Sequence, residues 1–199
     1  EPNRLWIQQP DRSFVDEAEL RGCATDLQGR PQASMGTAWD DLDHDGRTDV
    51  FLTHLRGETN TWYRQLTDGI YLDNTAASGL GTGSLNLTGF GVATPDLDLD
   101  GARDVVVVNG RVMRSPLLNP EPGAEFWDDY SERNQIFLND GTAHFAELTG
   151  TADPFLIPVE VSRGLATGDL DNDGDIDILL SNAAASFRLY RNVAKRKGS

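Results

Sequence analysis

The chain has 199 residues, a formal net charge of −15 and 38% hydrophobic residues, enough apolar material for a globular core. That acidity argues against nucleic acid or an anionic membrane surface as partner, because both need a basic face. No apolar run reaches the ~18 residues of a bilayer span, so direct membrane insertion is not expected, and a single cysteine, Cys23, excludes an internal disulfide or a cysteine-rich zinc site.

The first predicted elements are two aromatic-bearing strands in RLWIQQPDRSFVD (4–16), followed by a short helical stretch, VDEAELRG (15–22). SMGTAWD then leads into the acidic run DLDHDGRTD at 41, and VFLTHL after it is strand-like. TWYRQLTDGIYLD follows as two strands around an Asp-Gly turn, a hairpin signal. The glycines of SGLGTGS (78–84) read as linker, since a phosphate loop needs a strand before and a helix after. GFGVATPD, DLDLDGARD at 96 and VVVVNG repeat the first half of this unit, and QIFLNDGTAHFAE repeats the second. Between those halves, residues 109–133 are rich in Pro and Gly and lack periodicity, which marks an inserted loop. SRGLATGD, DLDNDGDID at 169, ILLSNA and RLYRN give a third copy.

Each unit reads as strand, acidic loop, strand, linker, strand, turn, strand. A four-stranded antiparallel unit in tandem is the mark of a β-propeller blade. The predicted fold is all-β, with a half blade at 4–20, a blade at 34–78, a blade at 89–150 carrying the inserted loop, and a partial blade at 163–193. Rings usually take ~4–8 blades. An incomplete ring is therefore expected: the residues belong to a longer chain, or a second copy or a partner supplies the missing blades.

All three acidic runs fit D-x-D-x-D-G-x-x-D, with oxygen ligands at alternate positions, and such sets suit a hard cation. Calcium tolerates the irregular geometry of a loop, whereas magnesium demands a strict octahedron. The predicted ligands are Asp41, Asp43, Asp45, Arg47 by its carbonyl and Asp49 in loop one. In loop two they are Asp96, Asp98, Asp100, Ala102 by its carbonyl and Asp104. In loop three they are Asp169, Asp171, Asp173, Asp175 by its carbonyl and Asp177. The glycine at position six (Gly46, Gly101, Gly174) permits the turn around the ion. An EF-hand needs a bidentate Glu at position twelve, where this chain has Leu52, Val107 and Leu180 inside strands. Asp and Gly also favour plain turns. Three copies in register, each between two strands, favour three calcium ions.

The loops, the Phe90-Gly91 pair and the Gly-x-Ala lead-in resemble the FG-GAP repeats of integrin α-subunit propellers. The blade spacing and the LYRN and NDGTAHF strands are closer still to the cartilage-acidic-protein (ASPIC/UnbV-associated) family and its FG-GAP/VCBS-type repeats. The resemblance implies a propeller, usually seven-bladed, with calcium in its hairpin loops and export from the cytoplasm. Two departures are the smaller number of blades and the lack of the family's C-terminal domain before the chain stops at NVAKRKGS.

Catalytic signals are sparse. His44 lies at a non-ligand position of loop one, His54 ends a strand, His144 lies in a hairpin, and none accompanies a nucleophile motif. Trp6 and Trp62 occupy matching repeat positions and read as core between blades, while Phe126, Trp127 and Tyr130 cluster in the inserted loop as a contact surface or as packing. The expected function is therefore a calcium-binding module for adhesion, binding or scaffolding, secreted, periplasmic or on the cell surface, with no catalytic residues. Its partner is expected to be a protein or glycan ligand, or the remaining blades. Two rivals are a structural subunit of a surface assembly or filament, and a propeller enzyme working at the channel face.

Overall fold

The computed structural model describes residues 1–114, 126–150, 153–183 and 185–193. An N-terminal hairpin pairs β1 (Trp6–Gln8) with β2 (Phe14–Asp16), and a one-turn helix, α1 (Ala18–Arg21), follows. Next come β3 (Thr37–Asp40), β4 (Asp49–Leu52), β5 (Thr61–Thr67) and β6 (Ile70–Asp73), paired antiparallel in chain order. The stretch expected to be linker holds one helical turn, α2 (Gly81–Ser84). Then β7 (Gly89–Ala93) and β8 (Val105–Asn109) precede a 3-10 turn at Phe126–Tyr130 and a two-residue strand, β9 (Glu132–Arg133). β10 (Gln135–Asn139) and β11 (Phe145–Glu147) complete a second four-stranded sheet in the order β11-β10-β8-β7. β9 pairs instead with β12 (Val159–Glu160). A three-stranded sheet of β13 (Ser162–Gly168), β14 (Asp177–Asn182) and β15 (Arg188–Tyr190) closes the described chain.

The chain is thus an all-β, incomplete propeller segment: a two-stranded half blade, two four-stranded blades and one three-stranded blade. Residues 115–125 of the inserted loop and 194–199 of the terminal stretch lie outside the described residues.

The core sits between blades. Leu42, Phe51 and Trp62 of the second blade pack against Val105, Val107, Phe137 and Phe145 of the third. Val106, Val108 and Ile136 face the other way, onto Ile178 and Leu180 of the fourth. Successive residues of β8 therefore bury against opposite neighbours. This is why VVVVN is a continuous apolar run with all five residues buried rather than an alternating pattern. A hydrogen bond recurs at the seams: Asn139 Nδ2 donates to the Leu42 carbonyl and Asn192 Nδ2 to the Leu97 carbonyl, both at 2.9 Å.

Register corrects one sequence expectation. Trp6 lies opposite Asp16 as Tyr63 lies opposite Asp73 and Phe137 opposite Glu147. Trp6 therefore matches Tyr63, and Trp62 matches Leu5. A one-residue slip moves a side chain to the other face of the sheet. Trp62 is fully buried against the third blade, whereas Trp6 is 52% exposed on a face no described blade covers.

Candidate metal centres

Each acidic run is the turn between the first two strands of a blade, so all three loops share one rim. Their backbones repeat. Position six is left-handed at Gly46, Gly101 and Gly174 (φ 82°, 94° and 93°), as the sequence pattern requires. Position four is left-handed too, at His44, Leu99 and Asn172 (φ 57°, 59° and 61°). Sequence reasoning missed this second position because three unrelated residues occupy it, and Leu99 is not among the types that favour that conformation, as His and Asn are.

The carboxylate at position one organises each turn. Asp41 accepts the amides of Asp45 and Gly46 at 3.0 and 2.8 Å. Asp96 accepts those of Asp100 and Gly101 at 3.1 and 3.0 Å, and Asp169 those of Asp173 and Gly174, both at 3.1 Å. The carboxylate at position nine does a different job. Asp49 accepts the amides of Leu42 (3.2 Å) and Gln65 (2.8 Å), Asp104 those of Leu97 (2.8 Å) and Asn139 (2.9 Å), and Asp177 those of Leu170 (3.0 Å) and Asn192 (2.9 Å). Each clamps its loop onto the third strand of its own blade. Burial pushes the carboxyl groups of Asp49 and Asp104 up to about 6 despite those amides. Arg47, Ala102 and Asp175 stand at position seven, and each donates its amide to the carboxylate two residues earlier, at 3.0, 2.9 and 3.1 Å.

One carboxylate oxygen from each of Asp41, Asp43 and Asp45 lies within 4.8 Å of the others, and the same holds for Asp96, Asp98 and Asp104 and for Asp169, Asp171 and Asp177. Oxygens sharing one calcium at 2.3–2.6 Å can be at most about 5 Å apart, so each trio fits a single ion. Asp49, Asp100 and Asp173 fall outside these trios. A cation already sits on two of the loops. Arg64 pairs with Asp43 and, at 3.5 Å, with Asp45, which Arg47 also holds. Arg191 pairs with Asp171 and, at 2.7 Å, with Asp173. Arg64 lies in β5 and Arg191 directly follows β15, each one residue after the aromatic that pairs beside position nine (Tyr63, Tyr190), where the third blade has Leu138 after Phe137. Aligning YRQ, FLN and YRN in the sequence was the available signal for them.

The other polar residues singled out in the sequence disperse. His44 is exposed. His54 is fully buried, and that burial lowers its pKa. His144 Nδ1 meets the Ser78 carbonyl at 3.0 Å. Asp40 accepts the Thr94 hydroxyl at 2.8 Å and lies 3.4 Å from Arg103, joining two blades. Phe126, Trp127 and Tyr130 pack on one another with ring centroids 5.3–5.8 Å apart, leaving Phe126 and Trp127 largely exposed.

A family model of the FG-GAP-like repeat matches residues 41–107, which run from the first aspartate of loop one through loop two into β8. The chain is also similar to cartilage acidic protein 1 of Xenopus tropicalis, with 28% identity over 181 residues, covering 89% of this chain and 25% of that protein. The chain spans a quarter of its relative's length. It carries an FG-GAP-like repeat and resembles cartilage acidic protein 1.

Proposed function

We propose that the chain is a calcium-stabilised, extracytoplasmic propeller segment serving as a binding, adhesion or scaffolding module rather than as an enzyme. The observation that carries this reading is one loop built three times, with a carboxylate trio of ion-sized spacing in each. Asp41, Asp43 and Asp45, then Asp96, Asp98 and Asp104, then Asp169, Asp171 and Asp177 would hold the ions. The position-seven carbonyls of Arg47, Ala102 and Asp175, with Asp49, Asp100 and Asp173, would complete the shells. The ion's contribution is to let carboxylates sit together at the rim. Sites in extracellular modules commonly bind at ~0.1–1 mM, which suits a calcium-rich exterior.

Calorimetric titration tests the reading. Three ions per chain are expected at millimolar calcium, and chelation is expected to lower the melting temperature, since an ligand of the folded state stabilises it by mass action. Fewer than one ion per chain overturns it.

Arg64 provides a second expectation. Its guanidinium occupies the carboxylates an ion would take. Arg64→Leu, which copies the third blade's Leu138, is expected to tighten calcium binding at loop one about tenfold, the scale of one displaced charge-assisted hydrogen bond. The same substitution should destabilise the calcium-free chain, because the carboxylates then face one another. Unchanged affinity in a calcium titration would show the arginine to be a bystander.

The partner is proposed to be a protein or glycan ligand meeting Phe126, Trp127 and Tyr130. They project from the connection between the second and third strands of their blade, at the rim opposite the acidic loops. Exposed rings beside Arg114, whose guanidinium lies 5.9 Å from the Phe126 centroid and pairs with Asp129 at 2.7 Å, suit either ligand class.

A further inference from the structure

His54, two residues past the end of β4, is fully buried and takes no part in the acidic loops. Register makes it the counterpart of Asn109 and Asn182 in the next two blades. Those two stay neutral at every pH and bond the backbone ahead of their third strand. Asn109 Nδ2 donates to the Arg133 carbonyl at 2.9 Å, and Asn182 Nδ2 to the Ser186 carbonyl at 3.1 Å. Of these three blades, only the second puts a titratable group at the position.

The imidazole stands beside a polar seam. The chain between α1 and β3 is tied to the β4–β5 connection by three hydrogen bonds: Gln32 Nε2 to the Thr59 carbonyl (3.2 Å), the Thr61 hydroxyl to Gln32 Oε1 (2.8 Å) and the Ala33 amide to Glu58 (2.9 Å). Ser34 carries the seam on to the N-terminal segment. Its hydroxyl donates to Asn3 Oδ1 at 2.6 Å, and Asn3 Nδ2 donates to the Cys23 carbonyl and the Tyr63 hydroxyl, both at 3.2 Å. His54 Nδ1 lies 3.5 Å from the Ser34 hydroxyl, and Nε2 is buried with no hydrogen-bond partner among the described residues.

A neutral imidazole carries one N–H donor, an imidazolium two. Protonation therefore leaves a buried charge short of an acceptor, which is costly. Burial lowers the His54 pKa from 6.5 against the pull of the Ala33 backbone and the carboxylates of Glu58, Asp73 and Asp26. Those carboxylates are committed elsewhere: Glu58 to the Ala33 amide, Asp73 to the Leu27 and Thr75 amides, Asp26 to Arg30. Behind Thr88, Glu132 is held by Arg111, while Arg4 and Arg56 are exposed.

We propose that His54 is an acid-responsive latch between the second blade and the N-terminal half blade with its connection: neutral, it lets the Ser34 seam close; protonated, it opens that seam. A group harder to protonate when buried supports the closed seam above its free value of 6.5. The support is lost as pH falls below that value, by at most about tenfold in the opening equilibrium per pH unit, the limit for one proton.

Cys23, the one cysteine of the chain, is buried at this seam and reports its opening. The test follows its reaction with a dipyridyl disulfide in the full chain from about pH 7.5 to about pH 5, the range in which histidine titrates. Each rate is divided by that of the urea-unfolded chain at the same pH. Protection of Cys23 is expected to fall about tenfold or more across the range while the blades keep their circular dichroism. His54→Asn, which copies Asn109 and Asn182, should hold the protection constant, and carboxylates that titrate in the same range are common to both chains. Proton NMR of the unaltered chain gives a second readout: the His54 ring should titrate in step with the exposure of Cys23. Constant protection in the unaltered chain, an equal fall in His54→Asn, a His54 ring that titrates out of step, or an opening that coincides with loss of the blades each overturns the proposal.

Discussion

Asp104→Ala is expected to destabilise the chain by about 2–6 kcal/mol, in chelator as well as in calcium, because it strands two buried amides at roughly 1–3 kcal/mol each. The side chain is fully buried, and its two oxygens accept the amides of Leu97 at 2.8 Å and Asn139 at 2.9 Å. One amide belongs to the loop and the other to the third strand, so the carboxylate closes the blade whether or not an ion is bound. Its own burial already pushes its pKa up to about 6, a desolvation cost the fold bears to keep the clamp. Asp98→Asn provides the contrast. Asp98 belongs to the same carboxylate trio but not to the clamp, so its loss should remove calcium-dependent stability and spare the rest. Urea unfolding of both variants, each with calcium and with chelator, separates the roles. Equal behaviour in chelator would mean that position nine is only a ligand.

That division of labour was half legible in the sequence. Alternating aspartates and a glycine at position six are local chemistry, and the turn they specify is the turn observed at Gly46, Gly101 and Gly174. The clamp role of Asp49, Asp104 and Asp177 depends on a third strand 15 to 35 residues away, so spacing within the loop could show only a carboxylate. Arg64 and Arg191 escaped notice for the same reason: they reach the loops from across the blade. The blades themselves were legible because strand, turn and strand recur in order. The pairing of Trp6 with Trp62 failed because matching two tryptophans ignored register, and register decides which face a strand residue occupies. Aligning Ile7, Arg64, Leu138 and Arg191 instead would have placed Trp6 with Tyr63 and Phe137.

Leu42→Ala is expected to cost about 2–5 kcal/mol, while Leu170→Ala, at the matching position of the last loop, should cost less than about 0.5 kcal/mol. Each stands second in its acidic run, and each has its amide held by the carboxylate at position nine. Their surroundings differ. Leu42 is 1% exposed, packed between the second and third blades beneath Phe137 and Phe145, and its carbonyl accepts from Asn139. Leu170 is 57% exposed, and Leu179 and Leu189 are exposed on the same face of the last blade, where Phe51 and Trp62 stand buried two blades earlier. The apolar side chains are in place for a neighbouring blade, but no described residue supplies one. Truncating Leu42 opens a cavity, whereas truncating Leu170 removes surface that water already reaches. Urea unfolding at several protein concentrations checks both values. A Leu170→Ala cost equal to that of Leu42→Ala and independent of concentration would mean that the chain covers this face itself and that the ring is not open there. A cost that grows with concentration would mean that a second copy covers it, because only association couples stability to concentration.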